Sequence, residues 1–242
     1  MKRMVVAGAL LAVLAGCNKS DKANGTAAAS GSVAAVKPPA GSDWLTTVSR
    51  TPEGGYRMGN PDAGVKLVEY GSLTCPHCAE FSEKGTAPLK QLVATGKVSW
   101  EYRNYVRDPI DVTASLLVRC APPQAFFPMV EQLYADQKNW FARIEGQQAQ
   151  LATIQTLPPA EQFKRIATAA GFDQFVQQRG VSAEQANGCL SDQAATQKLV
   201  DMQQAANQMN LPGTPTFLIN GQIVPNAATW EALEPALKRA GA

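Results

Sequence analysis

A single histidine, His77, serves all 242 residues of this sequence, and that scarcity excludes more chemistry than most motifs could establish. A cysteine–histidine hydrolytic site needs a histidine brought in from elsewhere in the fold to activate the thiol, and none exists outside the segment Cys75-Pro76-His77-Cys78. A zinc site asks for about four ligands at distributed spacing. One Cys-x-x-Cys with a histidine trapped inside it does not offer that, and neither Cys120 nor Cys189 belongs to a second such pair, so no metal is expected. Net charge is scarce too. Lys and Arg number 22 against 20 Asp and Glu, and the balance of +2 gives no reason to expect a nucleic-acid partner. Beyond the first residues no run is long and apolar enough to span a bilayer.

What is present centres on Cys75-Pro76-His77-Cys78, which follows a strand-like run, Val65 to Tyr70, and precedes a helix-like one. Two thiols two residues apart at the start of a helix are placed to bond to each other. The unpaired N–H groups and partial positive charge of the helix N-terminus favour the thiolate of Cys75, and the thiolate is the species that exchanges disulfides. Thiol–disulfide chemistry is therefore the leading expectation, and it needs no small-molecule cofactor.

The N-terminus reads as an address. Lys2 and Arg3 precede an apolar stretch from Met4 to Leu14 that is too short for a stable membrane-spanning helix. Leu14-Ala15-Gly16-Cys17 resembles the lipobox of bacterial lipoproteins, in which the cysteine is acylated after the signal, here residues 1–16, is removed. The alternative is an ordinary secretory signal with an incidental cysteine. Either way the chain is exported to an oxidising compartment, the periplasm, with lipid on Cys17 holding it to the membrane in the first case. Asn18 in the next position resembles lipoproteins sent to the outer membrane. Residues 17–43, rich in Ala, Gly, Ser, Lys and Pro and without an aromatic before Trp44, read as a flexible tether. Its reach is on the order of 28 Å for a coil.

Beyond the tether remain about 200 residues, enough for one domain with a large insertion or two small ones. Val65–Tyr70 reads as a strand buried on both faces, with Glu69 anomalous within it. A helix follows from Ala79, expected to bend or break at Gly85 and Pro88. Val98 to Arg103 alternates as a second strand, making a right-handed βαβ unit with parallel strands. Residues 112–209 contain no convincing strand. Phe126, Phe127, Val130, Leu133 and Tyr134 share one helix face, Phe163 to Ala170 form a helix closed by Gly171, and Ala194 to Met209 form a long third. Strands return after Gly213-Thr214-Pro215-Thr216. Asn220-Gly221 between two apolar runs signals a hairpin, and Ala228 to Arg239 close the chain as a helix capped near Thr229, with Pro235 awkward inside it. Cys120 and Cys189 are left over. In an exported chain such a pair forms a disulfide more often than not, worth at most roughly 4 kcal/mol by loop entropy, with two buried free thiols as the alternative.

A Cys-x-x-Cys at the helix start of a βαβ unit, joined to a downstream Thr-Pro just before a hairpin, resembles the thioredoxin superfamily. The Cys-Pro-His-Cys sequence, Glu69 six residues before it and the helical insertion make the chain similar to DsbA-like thiol:disulfide oxidoreductases, over 56–242. The resemblance implies an α/β thioredoxin fold, a central mixed sheet flanked by helices, formed by 44–111 and 210–242 and interrupted by a helical insertion domain over 112–209. It further implies roles. Cys75 is the exposed nucleophile and Cys78 the resolving thiol. Pro76 and His77 form the dipeptide that tunes the pair, with His77 favouring the Cys75 thiolate. Glu69 is a buried acid relaying a proton near the inner thiol, Pro215 is a cis-proline facing the disulfide, and Thr214 offers backbone to an extended substrate. Cys120 and Cys189 resemble an extra disulfide found in the insertion of one DsbA-like subgroup. The implied partners are reduced, unfolded or partly folded exported proteins and a DsbB-like membrane oxidase that regenerates the pair. Thr214 stands where the best-known oxidase has valine, as in isomerase-type relatives, which leaves a disulfide reductase or isomerase as the rival within this chemistry. A non-catalytic metal-binding or scaffold lipoprotein is the rival outside it.

Overall fold

The computed structural model describes residues 32–242. The expected signal peptide, Cys17 and the first part of the tether lie outside the described residues. The last part of that tether is laid against the folded chain. The Val33 N–H donates to the Gly241 carbonyl at 2.9 Å and the Val36 N–H to the Thr95 carbonyl at 3.0 Å, while the Trp44 indole donates to the Val36 carbonyl at 2.7 Å. Gly96 makes the approach possible: at φ +72° it turns where other residues rarely do, and a Cβ there would lie 2.2 Å from the Val36 carbonyl oxygen. A flexible tether reaching to residue 43 is thus not what the described part of this segment forms. Val33 and Trp44 supply enough apolar contact to seat it.

Two short strands, β1 (Val48–Arg50) and β2 (Tyr56–Gly59), come first; the sequence gives them no period-2 run long enough to notice. Then follow β3 (Val65–Gly71), α1 (Pro76–Ala94) and β4 (Val98–Asn104), the βαβ unit, with β3 and β4 parallel and Leu67 beside Trp100, Glu69 beside Tyr102. Val65, Leu67, Glu69 and Gly71 share the buried face of β3 by simple alternation. The other face is covered only at its C-terminal end, with Lys66 exposed and Val68 half-buried, which corrects the expectation of two buried faces. Helix α1 corrects another: it runs unbroken through Gly85 and Pro88. Proline removes one helical hydrogen bond and crowds the preceding turn, but buried Phe81, Leu89 and Val93 hold the helix against the sheet on either side of it.

Helices α2 (Pro109–Cys120), α3 (Phe126–Ala135), α4 (Gln137–Glu145), α5 (Gln148–Ala152), α6 (Pro159–Ala170), α7 (Phe172–Gln177), α8 (Ala183–Ser191) and α9 (Gln193–Gln208) fill the stretch between β4 and the next strand. The boundary expected at Val112 falls inside α2, which Asp108 caps and Pro109 begins. These helices do not keep a core of their own. Phe126 stacks on Tyr56 at 3.9 Å and Phe127 meets Trp100 at 4.7 Å, so one hydrophobic cluster runs from the sheet into the helices as far as Trp140 and Phe172. A disulfide joins Cys120 at the end of α2 to Cys189 in α8, with Cα atoms 5.9 Å apart.

The chain then returns as β5 (Thr216–Ile219) and β6 (Gln222–Ile223) and closes with α10 (Trp230–Arg239). Asn220 and Gly221 both have positive φ, 50° and 82°, the backbone a two-residue hairpin of this hand requires. Thr229 caps α10 through the Ala232 N–H at 3.4 Å, and Pro235 leaves that helix continuous. Among the described residues the strand order is β1-β2-β4-β3-β5-β6, with β5 antiparallel to β3. That pairing sets Thr216 beside Tyr70 and so delivers the Thr214-Pro215 segment to the end of β3 where α1 begins. No helix among the described residues is long and apolar enough to cross a membrane.

Candidate active site

Cys75 is the N-cap of α1, with extended backbone (φ −87°, ψ 122°), and Pro76 takes the first helical position, where its missing N–H costs nothing. His77 follows with its side chain open to solvent, its Nδ1 3.9 Å from Glu80. Cys78 is one turn inward and fully buried. Both thiols are free. The expectation of an exposed Cys75 is not met, since only 3 % of the residue reaches solvent. The reason is the neighbouring loop: the Cys75 sulfur lies 3.1 Å from the Thr214 carbonyl oxygen, to which it donates when protonated, and the Thr214–Pro215 peptide bond is cis.

The two sulfurs are inequivalent. The Cys75 thiol is held down at about 5, most of all by the hydrogen bond from the Cys78 thiol. Burial opposes this, and the Thr214 side chain and the N–H groups of Cys78 and His77 add to it. The N–H groups at the helix start, a cause legible in the sequence, therefore contribute less than the partner sulfur. Cys78 is pushed well up, first by burial, then by its bond to Cys75 and by the charges of Cys75 and Glu69.

Glu69 is buried, and burial raises its carboxyl to about 8 against the pull of the Trp100 indole, which donates to it at 3.0 Å. Its charge acts on Cys78, so the strand carboxylate shares the environment of the inner thiol. Near it Tyr102 and Tyr134 join hydroxyls at 2.7 Å, and Tyr134 also donates to the Ser72 carbonyl at 3.1 Å. Gln137, at the start of α4, donates through one nitrogen to the carbonyls of Leu73, at 2.8 Å, and of Cys75 itself, at 3.1 Å. Asp111 accepts from Ser72 and Leu73 on the other side of the same turn. None of Trp100, Tyr134, Gln137 or Asp111 is singled out by the sequence. For Asp111 a signal existed: Asp108-Pro109 reads as a cap and first helical position, which places Asp111 in the first turn facing back toward the sheet.

A groove of about 1060 Å³ opens beside the motif between α1, α3 and α4, with Pro76, Ala79, Tyr134 and Phe141 among its apolar lining and Glu80, Glu83 and Glu145 among its polar one. Among the described residues no cluster of three or more His, Cys, Asp or Glu side chains is arranged to hold a metal ion. Cys120 and Cys189 take no part in the site, being bonded to each other in the helical region. The arrangement can thus present one ionised sulfur and one protonated sulfur, side by side, under a cis-proline loop.

The family model described as thioredoxin matches residues 51–239. The chain belongs to the thioredoxin superfamily. Within it the chain has a DsbA-like fold, the mixed sheet interrupted by a run of helices. It is similar to the protein-disulfide isomerase of Novosphingobium aromaticivorans, at 35 % identity and a TM-score of 0.72, covering 77 % of this chain and 97 % of that one. It shares its fold with alpha-DsbA1 of Wolbachia pipientis, at a TM-score of 0.63 and 17 % identity, covering 82 % of this chain and 96 % of that one. A curated relative named "Putative protein-disulfide oxidoreductase", from Rickettsia bellii (strain RML369-C), is 27 % identical over 166 residues, 68 % of this chain. The match spans only 56 % of that relative's length.

Proposed function

We propose that Cys75 and Cys78 are the redox centre and that the protein is a dithiol oxidase, introducing disulfides into exported cell-envelope proteins. In the oxidised enzyme a substrate thiolate attacks the Cys75 sulfur and breaks the Cys75–Cys78 bond. Cys78 leaves and takes up a proton, for which buried Glu69, close enough for its charge to act on Cys78, is the donor. The substrate's second thiolate then attacks the mixed disulfide, and Cys75 departs as a thiolate. Two electrons pass to the enzyme and one disulfide to the substrate, and a DsbB-like membrane oxidase withdraws the electrons again. Thr214, whose carbonyl covers Cys75, offers the backbone along which an extended substrate would pair, with Pro215 beside it. Pro76 and His77 shape the approach from the other side.

The observation that carries this reading is the unequal pair, with Cys75 held down at about 5. A stabilised thiolate is a good leaving group and favours the reduced enzyme, which makes the oxidised enzyme an oxidant. Purified oxidised protein is expected to oxidise a reduced, unfolded dithiol substrate, and Cys75→Ser to abolish this. A wild type inert toward both dithiols and disulfides would sink the proposal.

One observation favours a second reading, reductase or isomerase: the relative at 35 % identity carries the name isomerase. The redox state of the pair in cells separates them, mostly oxidised for an oxidase and mostly reduced for the other two. The site of action we propose is the periplasm, with lipid on Cys17 as the anchor and the outer membrane as its destination. Cys17→Ala should then shift the protein from the membrane to the soluble fraction.

A further inference from the structure

Three consecutive residues, Ser72, Leu73 and Thr74, form the turn that ends directly before Cys75, and each sends a donor to an aspartate at the start of α2. The Ser72 hydroxyl donates to Asp111 Oδ2 at 2.6 Å and the Leu73 N–H to Asp111 Oδ1 at 3.0 Å. The Thr74 hydroxyl donates to Asp108 Oδ2 at 3.0 Å. Asp111 also accepts the Arg107 N–H on Oδ2 at 3.1 Å. Ser72 passes the constraint on, because its carbonyl accepts the Cys75 N–H at 3.1 Å.

Asp111 is fully buried, and no cation is among its hydrogen-bond partners. Burying a carboxylate in this way is costly unless fixed donors replace the lost water. Here two backbone N–H groups, of Leu73 and Arg107, point at different oxygens, so both oxygens must be acceptors. Asparagine would turn an NH₂ toward one of them. Burial, joined by the nearby charge of Asp108, raises the carboxyl to about 7, while the bonds from Ser72, Leu73 and Arg107 pull the other way. A helix-capping role alone does not account for the arrangement, since Asp108 already caps α2 by accepting the Asp111 N–H at 2.8 Å.

We propose that Asp111 is a positioning residue for disulfide exchange: from the first turn of α2 it fixes the Ser72–Thr74 turn and so sets the place of the Cys75 sulfur against Cys78 and Thr214. This rests on the reading of Cys75 as the nucleophile. It makes the first helix after β4 part of the device that ionises Cys75, not only a cover over the sheet.

The test follows Cys75 alkylation by iodoacetamide against pH, together with the redox equilibrium of the pair with glutathione, in full-length wild type, Asp111→Asn and Ser72→Ala. In Asp111→Asn the alkylation midpoint is expected to rise by about one pH unit, an approximately tenfold slower reaction at mildly acidic pH. The glutathione equilibrium should move toward the disulfide. Ser72→Ala, which spares both backbone bonds, should move both in the same direction by less. If Asp111→Asn does not fold, Ser72→Ala carries the test. Folded variants that lose stability but keep the wild-type midpoint and equilibrium within about twofold would show a merely structural carboxylate and overturn the inference alone. A wild-type Cys75 that titrates as an ordinary thiol would overturn the site reading, and this inference with it.

Discussion

Lowering the pH from 8 to 5 should erase most of the pH-dependent advantage in stability that the reduced protein holds over the oxidised one. The folded Cys75 thiol sits at about 5 against an ordinary 9.0. A group depressed on folding contributes stability that is complete above its unfolded value and is lost as pH falls through the folded value. At pH 7 about two of these units are realised, or about 2.7 kcal/mol at 1.36 kcal/mol per unit. The Thr214 loop covers the sulfur, but solvent beyond that cover still screens it, and this reduces the figure to about 1–2 kcal/mol. That corresponds to roughly 20–45 mV in the two-electron potential of the pair. The oxidised protein has no thiol at position 75 and lacks the contribution entirely. Glu69 also titrates in this window but is present in both forms, so to first order it cancels from the difference. The raised Cys78 enters only at alkaline pH, above the range used. The assay is urea unfolding of both redox forms at several pH values between 8 and 5, reading the slope of the difference, because the constraint of the short disulfide loop is constant with pH. A gap that stays flat, or widens toward acid, would refute the ionised Cys75 and with it the argument for an oxidant.

Glu69→Gln should change the pH profile of stability in the opposite sense. The carboxyl is raised on folding from 4.5 to about 8, so the native state keeps a proton that the unfolded chain has lost, and wild-type stability falls as pH climbs through that window. The variant should match wild type near pH 4 and exceed it by about 1–4 kcal/mol at pH 8, while forming the mixed disulfide with substrate more slowly. Replacing Cys120 and Cys189 by alanine should cost about 2–4 kcal/mol in denaturant unfolding, the scale set by a closed loop of 69 residues' separation. An unchanged midpoint would show that α2 and α8 hold together without it. Phe126→Ala should cost about 3–5 kcal/mol, and the loss should appear as one transition by both far-UV and tryptophan signals, because Phe126 ties the helices to Tyr56 in one core. Two separate transitions would instead mark the helical region as an independent unit.

The parts of this fold written in short-range signals were legible: the βαβ unit around the motif, the Asn220-Gly221 hairpin, the helix closed at Gly171 and the capped last helix. Each is marked by residues close together in the chain, even where, as for β3 and β4, the pairing itself spans a whole helix. The parts that failed depend on distant partners. Strands β1 and β2 are three and four residues long; β2 exists because β4 offers it an edge, and β1 because β2 then offers another. Helix α1 survives Pro88 because of what Phe81 and Leu89 touch, which no local propensity records. At the site, the residue types of the motif and of Glu69 pointed to the chemistry, but the covering of Cys75 by the Thr214 carbonyl did not. That contact joins positions 139 residues apart. Tyr134 and Gln137 were not legible as site residues for the same reason, being ordinary helix residues until the fold sets them around one turn, and for Asp111 the Asp108-Pro109 cap gave only its place in the first turn of α2.

One contributor to the inequivalence acts on both sulfurs, and it bears on how such a pair avoids trapping itself. One hydrogen bond, from Cys78 to Cys75, is the largest influence lowering the outer thiol and also contributes to raising the inner one. Protons on such a pair belong to the couple and not to either residue. While Cys75 is an anion, Cys78 has both a negative neighbour and an acceptor for its proton, and it stays protonated and inert. Once Cys75 is bonded to a substrate, its charge is gone and the hydrogen bond is lost. What then holds Cys78 high is burial and the charge of Glu69. Since burial keeps Glu69 largely protonated at neutral pH, that charge is mostly absent as well. The inner thiol therefore becomes easier to ionise in the mixed disulfide, where it must act if the substrate lingers, than in the free enzyme, where ionising would only set two like charges against each other. Attack by Cys78 is favoured by the very bond that removes the restraint on it, and the reduced enzyme rests with one reactive sulfur instead of two.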